Sequence, residues 1–333
     1  MTDIPQQQSF TLLKGDALRL LPALDAESIH AVITDPPYGL TAKQDVEAML
    51  IAWLKRETYV SDQNGYGGAE WDNSVPGPEL WREAYRLLVP GGYVLAFAAA
   101  RTIGITTMAL QLAGFEVRDL IHWVYAPGRR SRDQSLIAAE LGDPELAAQV
   151  VGLRPTLQPG HEPIVVARKP FDDSTTTVLD NIYDFGVGAI NHVAITTEAT
   201  GIASNVWVVH DFDCAPERCE CEVLDSAAST HGTHIYPSER LSDRSLNIPK
   251  PGKFERPVAE DGSRHPTVKP LALMRALVEA VTMPNQVVLD PFLGSGTTME
   301  AALLAGRRSV GCELNTEFIP LIEQRLTRCT AKK

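Results

Sequence analysis

Two short apolar runs near opposite ends of the chain each break off at an aspartate followed at once by proline. The first leads into Thr34-Asp35-Pro36-Pro37-Tyr38 and the second into Asp290-Pro291-Phe292-Leu293-Gly294-Ser295-Gly296-Thr297-Thr298. Residues 29–34 are largely β-branched and alternate little in polarity, which suits a strand buried on both faces. Proline offers no amide hydrogen and ends ladder pairing, so Asp35 is expected at the carboxyl edge of its strand. The second run reads as a strand over Gln286–Asp290, followed by a glycine loop and a helix that opens at Thr297.

The rest of the chain supplies more units of the same kind. Leu80, Trp81, Ala84, Leu87 and Leu88 fall at helical spacing and predict a helix over Pro78–Leu88, stopped by Pro90-Gly91-Gly92 before a strand at Tyr93–Ala98. A helix over Arg101–Leu112 is stopped by Gly114, and strands follow at Phe115–Trp123 and Pro163–Arg168. After a different middle segment come a helix over Leu271–Val281, the strand at Gln286–Asp290, a helix over Thr297–Leu304, a strand at Ser309–Glu313 and a last helix over Glu317–Arg328. Such alternation predicts an α/β fold with a doubly wound, mostly parallel sheet. Residues 169–264 carry many Gly, Pro, Asp and Thr, short strand-like pieces such as Val206–Val209, and no long amphipathic helix. They read as a smaller inserted module, dividing the chain into 1–168, 169–264 and 265–333.

With 333 residues and 44% apolar content, the chain can bury the core of one large α/β domain plus an insertion. No apolar stretch reaches membrane-spanning length, and Met1-Thr2-Asp3-Ile4-Pro5 lacks the basic and apolar segments of a secretory signal, so a cytoplasmic protein is expected. Five irregularly spaced cysteines fit reduced thiols better than a disulfide framework. A formal charge of −12 excludes a protein that coats nucleic acid with its whole surface. Between Glu239 and Pro270, however, Arg240, Arg244, Lys250, Lys253, Arg256, Arg264 and Lys269 outnumber the acids, which fits a phosphate-contacting face or a solvated loop of mixed charge.

The two motifs differ in chemistry. A carboxylate, two proline-restrained carbonyls and an aromatic ring, in Asp35, Pro36, Pro37 and Tyr38, suit the grip of an amino group on a flat base. The glycine loop lets backbone approach a nucleoside cofactor, and Glu313, about 19 residues beyond Gly294, ends the next strand where an acid can bind ribose hydroxyls. A dinucleotide fingerprint would need a third glycine where Met299 stands, so a nicotinamide cofactor is disfavoured.

In these two motifs and their order the chain resembles the amino-group DNA methyltransferases that use S-adenosylmethionine (AdoMet), in the permuted class whose catalytic motif precedes its cofactor motif. Leu13–Leu24 with Gly15-Asp16, Trp71-Asp72, Gly160-His161-Glu162-Pro163-Ile164 and His265-Pro266-Thr267-Val268-Lys269-Pro270 resemble further family elements. Asp16 also fits a plain helix cap, and His161-Glu162 a plain loop pair. The resemblance implies a Rossmann-like methyltransferase sheet, with 169–264 as target-recognition module. It assigns Asp35, Pro36, Pro37 and Tyr38 to catalysis. Asp290, Phe292, Gly294, Ser295, Gly296, Thr297, Glu313 and Lys269 line the AdoMet site, with Asp290 on the cofactor ammonium and Lys269 on its carboxylate.

The implied reaction is methylation of N6 of adenine in double-stranded DNA, with the base swung out of the duplex. N4 of cytosine is the alternative, since both amines ask for the same hydrogen-bonding geometry; Asp at the head of the first motif is typical of adenine enzymes. An RNA or protein-amide methyltransferase, or an inactive DNA-binding homologue, are more distant alternatives. A protein-amide enzyme would carry Asn where Asp35 stands. The sulfonium is already a good leaving group, so the reaction requires no metal. Cys214, Cys219 and Cys221 near His231 and His234 are poorly spaced for zinc and read better as free thiols. Arg129, Arg130 and Arg132 suit phosphate contact or a solvated loop equally. A monomer and a homodimer are both compatible with a site that reads a palindrome, and no spacing along the chain encodes a recognition sequence or a partner nuclease.

Overall fold

The structure is a computed structural model that describes residues 9–40, 45–59, 61, 72–124, 133–157, 160–172, 177–195, 205–208, 251, 255–258, 262, 264–265 and 267–330. Trp71, Arg129, Arg130, Arg132, Pro266 and the segment holding Cys214, Cys219, Cys221, His231 and His234 lie outside them.

Among the described residues eight strands form one sheet: β1 (Phe10–Lys14), β2 (Ile29–Thr34), β3 (Leu88–Phe97), β4 (Glu116–Val124), β5 (His161–Arg168), β6 (Val206–Val208), β7 (Val287–Asp290) and β8 (Arg308–Glu313). Their spatial order is β1-β8-β7-β2-β3-β5-β4-β6. Every neighbouring pair is parallel except the two that β5 makes, with β3 and with β4. The sheet is thus mostly parallel, as the alternation of elements predicts, with one reversed strand.

Alternate side chains along each central strand enter opposite layers. Val32, Val94, Val165 and Leu289 pack beneath Trp81, Ala84 and Leu87 of helix α3 (Pro78–Leu87) and Leu110 of α4 (Ile103–Leu112). Ala31, Ile33, Leu95, Phe97, Val166 and Val288 pack beneath α8 (Leu271–Val281) and α9 (Thr297–Leu304). Each such aliphatic side chain, fully removed from water, stabilises the fold by about 1.5–3 kcal/mol. A smaller cluster joins Leu293 and Met299 to Ile319, Ile322 and Leu326 of the last helix, α10 (Ile319–Thr330).

Strand β3 begins earlier than the sequence suggests. The Pro-Gly-Gly run was expected to separate α3 from the strand, yet the strand starts at Leu88 and carries Pro90-Gly91-Gly92 within it. Its register against β2 jumps from Ile29↔Leu88 to Ala31↔Tyr93, so the run is accommodated as a bulge. Gly91 adopts φ +78 and donates its N–H to the Lys169 carbonyl, while the Lys169 N–H returns to Gly92. The proline carbonyl takes the Asn181 amide at 3.0 Å.

Asn181 belongs to α7 (Val178–Phe185), which opens with a capping box in which the Thr177 and Asp180 side chains satisfy each other's backbone. That helix and β6, which pairs with β4, place the described parts of 177–208 against the main sheet. Asp16 caps the short helix α1 (Ala17–Leu20) by accepting from Leu18 N at 3.0 Å. Among the described residues no helix is long and apolar enough to cross a membrane.

Candidate active site

Strands β2 and β7 are neighbours, with Ala31 facing Val288 and Val32 facing Leu289 in parallel register. Their carboxyl ends therefore finish side by side, and with them both motifs. The Thr34 hydroxyl donates to Asp290 Oδ1 at 2.6 Å across 256 residues of chain, and both side chains are buried.

Beyond Thr34 the chain turns out of the sheet at Asp35-Pro36-Pro37. The Tyr38 hydroxyl donates to Asp35 Oδ1 at 2.7 Å. Asp72 holds the backbone of this turn from the other side: one carboxylate oxygen accepts from Tyr38 N at 2.7 Å and from Gly39 N at 3.0 Å. Gly39 has φ +61, a conformation that favours glycine. The sequence singles out Asp72 only by resemblance; its exposure of 5% and paired backbone bonds give it a specific task.

The second oxygen of Asp35 accepts from the Lys269 ammonium at 2.5 Å. That ammonium also lies 3.2 Å from the Tyr38 hydroxyl, 3.3 Å from Glu162 Oε2 and 4.8 Å from the centre of the Phe97 ring. Burial alone would push the lysine pKa down, but Asp35 and Glu162 outweigh it and hold the pKa above the ordinary value. Sequence reasoning places Lys269 at a cofactor carboxylate; in this structure it bridges Asp35 and Glu162. Glu162 reaches the site because β5 runs against its neighbours, so that its first residues lie at the edge where β2, β3 and β7 end.

The glycine loop lies on the other side of Thr34. Asp290, 2% exposed, accepts from Thr34, from the Phe292 N–H at 3.0 Å and from the Thr298 hydroxyl at 2.6 Å. Burial raises its pKa to about 6, against the lowering pull of these three donors. A carboxylate has about four acceptor positions, and three are engaged within the protein.

Gly294 and Gly296 adopt φ +55 and +85. A Cβ on Gly294 would stand 2.9 Å from His265 Nε2, and one on Gly296 would press at 3.3 Å on Ile322. The Gly294 N–H donates to Glu313 Oε2 at 2.7 Å, and the Asn315 N–H to Oε1 at 2.7 Å. Burial raises the Glu313 pKa, while these backbone donors pull it back. Ser295 and Thr297 are buried in the same loop, their hydroxyls 3.3 Å apart. His265 completes the wall, its ring 4.4 Å from that of Phe318; burial first, then Lys269 and Arg325, lower its pKa against the Thr267 carbonyl and Asp35.

Asp35, Tyr38, Lys269, Asp290, Gly294 and Glu313 thus gather at one edge of the sheet, where β2 and β7 end side by side. The arrangement presents a carboxylate-phenol-ammonium cluster next to a glycine loop ended by an acid. Among the described residues no group of three or more His, Cys, Asp and Glu side chains is placed to hold a metal ion.

The chain is similar to known methyltransferases along most of its length. The chain is 28% identical to the type II methyltransferase M.HindIII of Haemophilus influenzae over 95% of its own length and 94% of that protein's. It is 23% identical to the DNA adenine methyltransferase YhdJ of Escherichia coli, over 95% of this chain and 82% of that one. Among solved structures, the cytosine-N4-specific PvuII DNA methyltransferase shares the fold with a TM-score of 0.51 and 13% identity, over 97% of this chain and 93% of that one. The model of the DNA methylase family of N6 and N4 methyltransferases matches residues 29–324, a span that holds every residue of the edge described above, and the chain belongs to that family.

Proposed function

We propose that this protein transfers a methyl group from AdoMet to the exocyclic N6 of adenine at a specific site in double-stranded DNA. The observation that carries the reading is the direct bond between Thr34 and Asp290, which makes the base-gripping turn and the glycine loop one continuous site.

AdoMet would supply an electrophilic methyl carbon on a sulfonium, and the residues present fit it. Both Glu313 oxygens keep acceptor capacity for ribose hydroxyls after taking one backbone N–H each. Gly294, Ser295, Gly296 and Thr297 bring backbone close to a nucleoside without a Cβ at the two glycine turns. Phe292 offers an apolar face, and Asp290 shapes the loop with one acceptor position left for an ammonium.

On the acceptor side, the adenine amine is a poor nucleophile because its lone pair is delocalised into the ring. Asp35 accepts one amine hydrogen and the Pro36 carbonyl the other, drawing the nitrogen toward tetrahedral geometry with its lone pair free. Pro37 fixes the turn, and Tyr38, held by Asp72, stacks on the base, replacing the stacking lost on extrusion from the duplex. Residues 169–264 are the module we assign to target recognition, between the catalytic half 1–168 and the cofactor half 265–333.

Adenine is favoured over cytosine by the Asp at position 35 and by the likeness to an adenine methyltransferase over 95% of the chain. Mass spectrometry of nucleosides from DNA treated with enzyme and AdoMet tests the reading. N6-methyladenine is expected, and 4-methylcytosine as sole product would overturn the choice of base.

A further inference from the structure

Lys269 stands where the target amine has to act. Asp35 has two oxygens: one accepts from Tyr38 at 2.7 Å and the other from the Lys269 ammonium at 2.5 Å. Each oxygen has a second acceptor position, but an amine that donates to Asp35 on the Lys269 side competes with the ammonium already bound there. The ammonium is the natural one to yield, because a second carboxylate, Glu162, waits 3.3 Å away. A buried ammonium that lost Asp35 with no other acid at hand would be left uncompensated, at a cost that bars base entry. With Glu162 beside it, the ammonium shifts within the cluster, stays over the Phe97 face, and the net charge of the site does not change.

We propose that Glu162 is a positioning residue that receives the Lys269 ammonium when the target amine takes its place on Asp35. Lys269 is then a resident occupant of the amine subsite, yielding to a group that donates both to Asp35 and to the neighbouring carbonyl. A base without an exocyclic amine gains nothing there to offset the displacement, so the exchange adds discrimination as well as order. This inference rests on the methyltransferase reading above.

The test uses the full-length protein and a duplex carrying the recognition sequence found by methylome sequencing. Glu162→Gln keeps the shape of the side chain but removes the charge that would hold the displaced ammonium. We expect kcat to fall by roughly tenfold or more, with AdoMet affinity by calorimetry within about twofold of wild type, since no cofactor contact is altered. Glu162→Asp should recover part of the loss. The Glu162→Gln, Lys269→Met double variant should be no slower than Glu162→Gln alone, because no ammonium is left to rehouse. An unchanged kcat in Glu162→Gln would overturn the proposal. So would a tenfold loss of AdoMet affinity in Lys269→Met, which would seat the lysine on the cofactor instead. Wild-type protein that transfers no methyl to any DNA would overturn the methyltransferase reading, and this inference with it.

Discussion

Thr34 and Asp290, 256 residues apart in sequence, share a 2.6 Å hydrogen bond at the adjoining ends of β2 and β7. The bond ties the turn that begins at Asp35 to the loop that begins at Asp290, so any shift of one strand end is felt in both halves of the site. Thr34→Val keeps the shape and removes the donor. Loss of a bond to a buried carboxylate should lower stability by about 1–3 kcal/mol in denaturant titration. AdoMet affinity and kcat should both fall; a variant weakened in stability alone would show that the two motifs do not depend on this link.

Asp290 makes stability depend on pH in a defined direction. Burial lifts its folded pKa to about 6, above its value of 3.8 in the unfolded chain. The folded state therefore holds the proton more tightly, and the contribution of this group is lost as pH rises from about 4 through 6. Two pKa units correspond to on the order of 3 kcal/mol. Asp290→Asn should remove this slope, visible as a stability curve flatter than that of wild type in urea titrations between pH 4 and 7, while AdoMet binding weakens.

His30 acts with the opposite sign. Burial first, and Arg308 second, lower its pKa to about 4 from 6.5, and its Nδ1 accepts the Val287 N–H at 3.3 Å, joining β2 to β7. The folded state resists protonation, so stability is full above about pH 6.5 and is lost as pH falls toward 4. His30→Asn, which can keep the acceptor, should be relatively more stable than wild type at pH 5 and less so at pH 7.5. Thermal unfolding at the two pH values reads the difference, and parallel shifts would refute the assignment.

Asp72 is predicted to matter through the backbone it holds. Asp72→Ala leaves the Tyr38 and Gly39 N–H groups without their acceptor, and freeing this turn should lower kcat by about 10–100-fold with little change in AdoMet affinity. Asp72→Asn retains a carbonyl oxygen for the same two donors and should recover most of the activity. Equal activity in the alanine variant and wild type would show that the turn holds its shape without Asp72.

The fold was readable where local rules act alone. Helix α8 and helix α9 begin and end where helical spacing and the glycine loop place them, because an amphipathic helix and a glycine turn are set by residues within a few positions of each other. The Pro-Gly-Gly run was misjudged as a break between α3 and the strand because its acceptance into β3 depends on Lys169 and Asn181, far along the chain. No periodicity announces such a partner.

The amino-acid sequence by itself determined the two motifs, their positions at strand ends and the chemistry each side chain offers. Proline, glycine and buried aliphatic runs act on their own neighbourhood, so these features follow from nearest residues. Only the tertiary structure decided that β2 lies beside β7 and that β5 runs in reverse, bringing Glu162 to Lys269 and Lys269 to Asp35. Strand order and direction are settled by how whole faces bury against the helices, a property of the assembled sheet that no single segment contains.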